Sequence, residues 1–197
     1  MRMVGVAPDG MSLVISAQRR TTEGNPFVVI RLARGGGTAT VLATAGSAEK
    51  CDACRKLGAD HAINYREEDF VEVVGRVTER RGVDLILDMV GGSYVSRNYD
   101  AAAMDGRIVQ IAFLQGARVE ADFSKLMMKR LTHTGSTLRA RPVTFKAHLA
   151  SELEAKVWPL LQSRAVVPVI DMIYPLKDAW RAHERMEESL HIGKIML

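Results

Sequence analysis

Ser47 and Lys50 stand three residues apart, just behind a short apolar run that ends at Thr44, in the segment Ala45-Gly-Ser-Ala-Glu-Lys50. A hydroxyl, the free amides at the start of a helix and an ammonium one turn on suit a doubly charged anion such as a phosphate. A nucleotide fold that binds a ribose with a free 2′-hydroxyl commonly places Asp or Glu here, and that carboxylate would repel a 2′-phosphate. Gly46, Ser47 and Lys50 therefore point to NADPH rather than NADH. The same residues also fit a plain helix cap (Ser47) and a solvent-facing cation (Lys50). A second apolar run ends in Tyr65-Arg66, an aromatic ring and a guanidinium able to pack on adenine or to reach the same phosphate. A third ends in Asp88-Met-Val-Gly-Gly92, where two glycines permit close backbone approach to a ligand and Val90 beside them is a candidate cofactor contact. A fourth runs into Ile111-Ala-Phe-Leu-Gln-Gly116, with Phe113 and Leu114 forming an apolar wall where a nicotinamide ring would lie.

The elements that must position these residues follow a regular pattern from residue 39 onward. Residues 39–44, 60–65, 83–88 and 107–112 read as short strands, and 47–57, a stretch through about 80, and 93–103 as helices. Asn64 with Glu67 predicts the cap of the second helix, Gly58 the end of the first, and Asp105-Gly106 a turn. Strands separated by helices of this length pair in parallel, and strands covered on both faces are apolar throughout. The expected fold is α/β, a Rossmann-like doubly wound parallel sheet, whose ligands bind beyond the carboxyl ends of the strands. Further on, the spacing predicts a short helix at 123–129, a strand at 131–138, a long helix at 143–162 bent or ended near Pro159, a strand at 166–173, a helix at 176–188 and a strand at 192–197.

Composition narrows the function classes. The 197 residues are 47% hydrophobic and 25% charged, ordinary for a soluble globular protein. No apolar run approaches the roughly 18–20 residues a membrane span needs, and no secretory signal pattern opens the chain, so a cytoplasmic location and no membrane partner are expected. The net charge of +4 is interrupted by acids at residues 67–69 and 184–188. A nucleic-acid face requires concentrated basic charge, so none is expected. Cys51 and Cys54 form a C-x-x-C, but a zinc site needs further ligands nearby and none are evident. We read them as two small residues on an inert helix. His61, His133, His148, His183 and His191 are scattered, no triad or paired-carboxylate pattern is present, and catalytic residues remain unknown.

The stretch from Ala39 to Leu197 resembles the cofactor domain and C-terminal tail of the zinc-independent medium-chain dehydrogenase/reductases, specifically the zeta-crystallin-like NADPH:quinone oxidoreductases. The resemblance is carried by residues 43–50, Leu57-Gly-Ala-Asp-His-Ala-Ile-Asn-Tyr65, Gly82-Val-Asp-Leu-Ile-Leu-Asp-Met-Val-Gly-Gly92, Asp105-Gly-Arg-Ile-Val-Gln-Ile111, residues 135–139 and His191-Ile-Gly-Lys-Ile195. It implies that Ser47, Lys50 and Tyr65 bind the 2′-phosphate end of NADPH. It implies further that Phe113 and Leu114 border the nicotinamide, that the segment 136–138 (Ser136, Leu138) lies close by, and that no metal is needed. It also implies reduction of a quinone or related enone by hydride transfer, and a homodimer pairing near Val119 to Gly135.

The N-terminal part departs from that family. Residues 1–38 read as a degraded first β-loop-α unit, 39–164 as the dinucleotide-binding domain, and 165–197 as a tail belonging to the sheet of a catalytic domain expected to be missing. The glycine-rich loop is replaced by the stretch Leu13 to Phe27, in which only Gly24 remains, followed by Pro26. Arg19 and Arg20 offer charge without loop geometry. Ile30 to Arg34 again resembles the family's first helix before Gly35-Gly-Gly-Thr38 interrupts it. This fading and resumption suggests a local frame change in the gene, a hypothesis that resequencing with no compensated frame near codons 16–26 would refute. A truncated reductase is the first expectation. A non-catalytic NADPH-binding or dimerisation relic is the alternative.

Overall fold

The computed structural model describes residues 2–6, 12–16, 27–31 and 40–197, with side chains from residue 40 onward. The chain divides into two units, Ala17–Gly135 and a second made of Met1–Ser16 with Ser136–Leu197. Gly24, Pro26, Arg19, Arg20 and the residues 32–38 lie outside the described residues.

In the first unit the strands are β3 (Phe27–Arg31), β4 (Thr40–Ala45), β5 (His61–Asn64), β6 (Val83–Asp88), β7 (Ala102–Gln110) and β8 (Thr132–Gly135). They form one six-stranded sheet in the order β5-β4-β3-β6-β7-β8. The helices are α1 (Ala48–Lys56), α2 (Phe70–Val77), α3 (Tyr94–Ala101) and α4 (Ser124–Met128). Five strands are mutually parallel, and β3 runs antiparallel to both its neighbours, β4 and β6. From β4 the chain winds outward to β5, whereas from β6 it winds the other way to β7 and β8. This is the doubly wound α/β fold expected.

The antiparallel β3 corrects one expectation: Ile30 and Arg31 are strand, not the start of a helix. Phe27-Val-Val-Ile is rich in β-branched residues, which suit the pleated interior of a sheet better than a helix. A second correction concerns the cap of α2. Asp69, not Asn64, accepts from the amides of Val71 and Glu72 at 2.7 and 3.4 Å. It stands directly before Phe70, the first buried residue of that helix. Asn64 instead turns the chain on itself, its side chain accepting from the Arg66 amide at 3.2 Å. Asp105 and Gly106 lie within β7 rather than in a turn before it, at a bulge opposite Val83 and Leu85, with Asp105 at φ +59°. α1 ends before Gly58 as predicted.

Leu42, Ile63, Phe70, Val74, Val83, Ile86, Tyr99 and Ile108 are fully or almost fully buried. A side chain of this size contributes roughly 1.5–3 kcal/mol on burial. α2 is locked to α3 by the stacked rings of Phe70 and Tyr94, 5.6 Å apart, with the Arg97 guanidinium over both. Cys51 and Cys54 are free thiols on α1, both pushed above the ordinary thiol range by burial, and so far from the reactive thiolate form.

In the second unit β1 (Arg2–Val6) and β2 (Ser12–Ser16) form an antiparallel hairpin. The long helix is broken into α5 (Val143–Lys156) and α6 (Trp158–Gln162), with Pro159 in the first turn of α6, where its missing amide costs nothing. β9 (Ile170–Ile173) and β10 (Lys194–Met196) pair in parallel, joined by a 3₁₀ turn (Leu176–Asp178) and α7 (Ala179–Glu187). Asp171 of β9 is held by Arg185 of α7 at 2.6 and 3.1 Å and accepts from the Ile192 amide at 3.0 Å.

Candidate functional site

The carboxyl ends of the parallel strands carry the candidate residues in separate groups. β4 and β5 are adjacent and end in register, Ala45 opposite Asn64, so Gly46-Ser47 and Tyr65-Arg66 leave the sheet side by side. The Tyr65 amide donates to the Ala45 carbonyl at 3.1 Å and extends that pairing by one residue. Ser47 is the N-cap of α1, in extended conformation, its hydroxyl accepting from the Lys50 amide at 3.3 Å. Lys50 follows on the first turn of the same helix, half-buried. Gly46 leaves room for Tyr65: a β-carbon there would stand 2.4 Å from the Tyr65 hydroxyl and 2.9 Å from its ring carbon Cζ. The structure thus sets the Tyr65 hydroxyl against Gly46, beside the Ser47–Lys50 first turn of α1, and adds Arg66, whose Nε lies 3.5 Å from the same β-carbon position.

The electrostatics of this cluster favour an anion. Burial lowers the Lys50 ammonium below the ordinary lysine range, and the Arg66 charge lowers it further, against a smaller opposing effect of Glu49. Burial raises the Tyr65 phenol above its usual value, with Arg66 pulling the other way. Its hydroxyl is buried and makes no hydrogen bond of ordinary geometry among the described residues.

A second group lies where β6 and β7 end. Asp88, almost fully buried, accepts from the amides of Val90 (2.6 Å) and Gly91 (3.1 Å) through one oxygen and from the Asn98 side chain (2.9 Å) through the other. Burial raises its carboxyl pKa, and the two backbone amides oppose that shift. The loop after β7 folds back on this turn: Leu114 N donates to Met89 O (3.1 Å) and Gln115 N to Val90 O (2.8 Å). A β-carbon on Gly91, at φ +65°, would meet Phe113 at 2.7 Å. Val90, Phe113 and Leu114 are therefore gathered by one interlocked pair of turns, with Val90 buried and Phe113 exposed. The organising residue, Asp88, is absent from the sequence candidates. Its signal was legible as an acid closing an apolar strand directly before two glycines.

Ser136 and Leu138 follow β8 as exposed residues and belong to the other unit. His133 of β8 makes a 2.9 Å hydrogen bond with the Tyr99 hydroxyl. Among the described residues no cluster of three or more His, Cys, Asp or Glu is arranged to hold a metal ion, and no helix is long and apolar enough to cross a membrane.

The sequence profile of a family described as zinc-binding dehydrogenase matches residues 57–197. Quinone oxidoreductase 1 of Escherichia coli is 32% identical over 166 residues, covering 81% of this chain and 49% of that protein. A 2-haloacrylate reductase of a Burkholderia species is 28% identical over 164 residues, covering 81% of this chain and 48% of that protein. Among solved structures, the E. coli quinone oxidoreductase complexed with NADPH superposes with a TM-score of 0.67 at 29% identity, over 79% of this chain and 49% of that one. The chain belongs to the medium-chain dehydrogenase/reductases and corresponds to their cofactor-domain portion. It spans about half the length of the curated relatives it matches.

Proposed function

We propose that this chain binds NADPH by its adenosine 2′-phosphate end and serves reduction of a quinone or related enone. The observation that carries the reading is the Tyr65 hydroxyl and the Arg66 Nε gathered at Gly46, beside a half-buried Lys50 on the first turn of α1, where an NADH-selective site would place a carboxylate. When bound, the cofactor supplies the hydride. The chain's own residues bind and orient: Ser47 fixes the first turn of α1, Lys50 and Tyr65 hold the phosphate, and Phe113 and Leu114 offer an uncharged wall at the other strand ends. Ser136 and Leu138 are proposed to approach the cofactor as well. The 2-haloacrylate reductase among the relatives supports an activated alkene as acceptor class. The residues fit the phosphate end better than the middle of a dinucleotide. A pyrophosphate subsite needs a strand that ends at this edge in a tight turn opening a helix. Here β3 places Phe27, its first residue, opposite Thr44 near the end of β4, so the strand enters at this edge rather than leaving it.

That direction of β3 favours a second reading, a cofactor-binding or dimerisation module without turnover of its own. Fluorescence titration of the purified chain with NADPH and NADH, followed by assay with a simple quinone, separates the two. Preference for NADPH supports the cofactor assignment, and turnover selects the reductase. Equal affinity for both nucleotides rejects the assignment. A homodimer through the open edge strand β8 and the segment 119–135, and a cytoplasmic location, complete the proposal. A monomeric mass in light scattering at micromolar concentration would rule out the dimer.

A further inference from the structure

We infer that the first unit carries a separate binding site, between α3, α4 and the strands β7 and β8, for an uncharged aromatic alcohol. It does not depend on the cofactor reading: β4 and β5, whose ends carry the phosphate cluster, lie beyond β3 and β6 in the strand order. The site begins with register. Gln110 of β7 pairs with Gly135 of β8, and Ile108 with His133. Alternate residues share a face of a sheet, so Gln110, His133 and Gly135 stand on the same one. Gly135 puts no side chain there, and a β-carbon on it would meet nothing closer than the Gln110 carbonyl at 3.7 Å. The gap belongs to a cavity of about 450 Å³, closed by Val95 and Tyr99 of α3 and Leu126 of α4. That volume falls within the roughly 300–1,000 Å³ of small-molecule sites.

The lining selects a class of ligand. The Phe123 ring tilts by 56° to that of Tyr99 at 6.3 Å, and the His133 ring stands edge-on to it at 5.6 Å. Phe113 adds a further ring. Rings so disposed receive another ring well. None of the described lining residues is Lys, Arg, Asp or Glu. Burial lowers the His133 pKa against the opposing pull of Asp88, which keeps the imidazole neutral. An anion here would lose its water without a counter-charge. Two polar features remain to orient a guest. Gln110 is almost fully buried, and its Oε1 has no partner among the described residues while its Nε2 donates to the Ala112 carbonyl at 2.7 Å. The Tyr99 hydroxyl and His133 Nδ1 are 2.9 Å apart. If the phenol donates, the imidazole proton sits on Nε2; if Nδ1 donates, the phenol proton is spare. Either way the neutral pair keeps one donor. One donor and one acceptor set in an aromatic wall match a single hydroxyl, which accepts and donates at once.

The test titrates 2-naphthol into the isotope-labelled full chain and follows backbone amide signals by NMR, with naphthalene and 2-naphthoate as comparisons. Naphthol is expected to shift the amides of Val95, Thr134 and Gly135 with a Kd of about 0.1 mM, ordinary for a ligand of its size. Naphthalene should bind about tenfold more weakly for want of the hydroxyl, and 2-naphthoate at least about tenfold more weakly for its charge. Gly135→Leu fills the gap at a glycine outside the left-handed region and should abolish the shifts. Because Phe113 belongs also to the proposed nicotinamide wall, the titration is repeated with NADPH present, and the naphthol shifts should persist. Loss of naphthol binding on adding NADPH would overturn the inference by assigning the cavity to the cofactor. So would naphthoate binding as tightly as naphthol, shifts confined to other residues, or no saturable shift at millimolar ligand. The shift pattern and the order of the three ligands are read on the unsubstituted chain, so they decide the matter even if Gly135→Leu does not fold.

Discussion

At the ends of β4 and β5 stand the Lys50 ammonium, the Arg66 guanidinium and the buried Tyr65 phenol, the donors proposed to meet a phosphate. At the ends of β6 and β7 the donors are already committed. Asn98 Nδ2 and two backbone amides go to Asp88, and Gln110 Nε2 goes to the Ala112 and Asp88 carbonyls at 2.7 and 3.3 Å. Among the described residues the atoms left unpartnered there, Asn98 Oδ1 and Gln110 Oε1, are acceptors, which do not welcome an anion. One edge of one sheet thus carries a pole proposed to bind charge and a pole that holds its own loops. Substitutions at the first should change affinity and leave stability alone, and substitutions at the second should do the reverse.

The largest expected effect is at the self-satisfied pole. Asp88→Ala strands two amides and the Asn98 side chain in a buried site and should cost about 3 kcal/mol, read as a lowered urea midpoint. A loss below about 1 kcal/mol would mean the hub is dispensable. Lys50→Glu replaces a cation by the acid typical of NADH sites and should weaken 2′,5′-ADP binding by about a hundredfold in calorimetry, with the urea midpoint unmoved. A stability loss comparable to that of Asp88→Ala would erase the contrast between the poles. Gly46→Val should displace the Tyr65 ring and reduce phosphate affinity about tenfold, one lost charge-assisted contact. Because a tyrosine end can swing, the cost in stability should stay under about 1 kcal/mol.

The smallest effect is a pH dependence. With the folded-state pKa of Lys50 lowered, its proton leaves the folded chain before it leaves the unfolded one. Affinity for 2′,5′-ADP should therefore begin to fall as pH rises through a value below the ordinary lysine pKa of about 10.4, while the folded state loses none of its stability from this group and gains slightly over that interval. Lys50→Arg should abolish the decline. A decline that persists in that variant would point to another titrating group.

Much of this was legible in the residues. Apolar runs with helices between them require parallel pairing, and the cap at Ser47 and the stop before Gly58 lie at the positions that backbone chemistry favours. That Gly46-Ser47 and Tyr65 leave adjacent strand ends follows from the pairing of β4 with β5, and their shared role at a phosphate is what the resemblance implies and the proposal takes up. Local rules misjudged Asn64 and Asp69, since either acceptor can cap a helix; burial of Phe70 decided between them. Asp105 and Gly106 look like a turn in any window, and only pairing with β6 makes them a bulge.

The sequence by itself determined the alternation of elements and the chemical character of the strand ends, because periodicity, capping and charge are properties of neighbouring residues. Only the tertiary structure decided that β3 runs against its neighbours, that Arg66 leans over Gly46, and that Asp88 ties two loops into one. Strand direction and side-chain convergence depend on which distant segments share a hydrogen-bonding edge or a buried volume, and no local pattern encodes that choice.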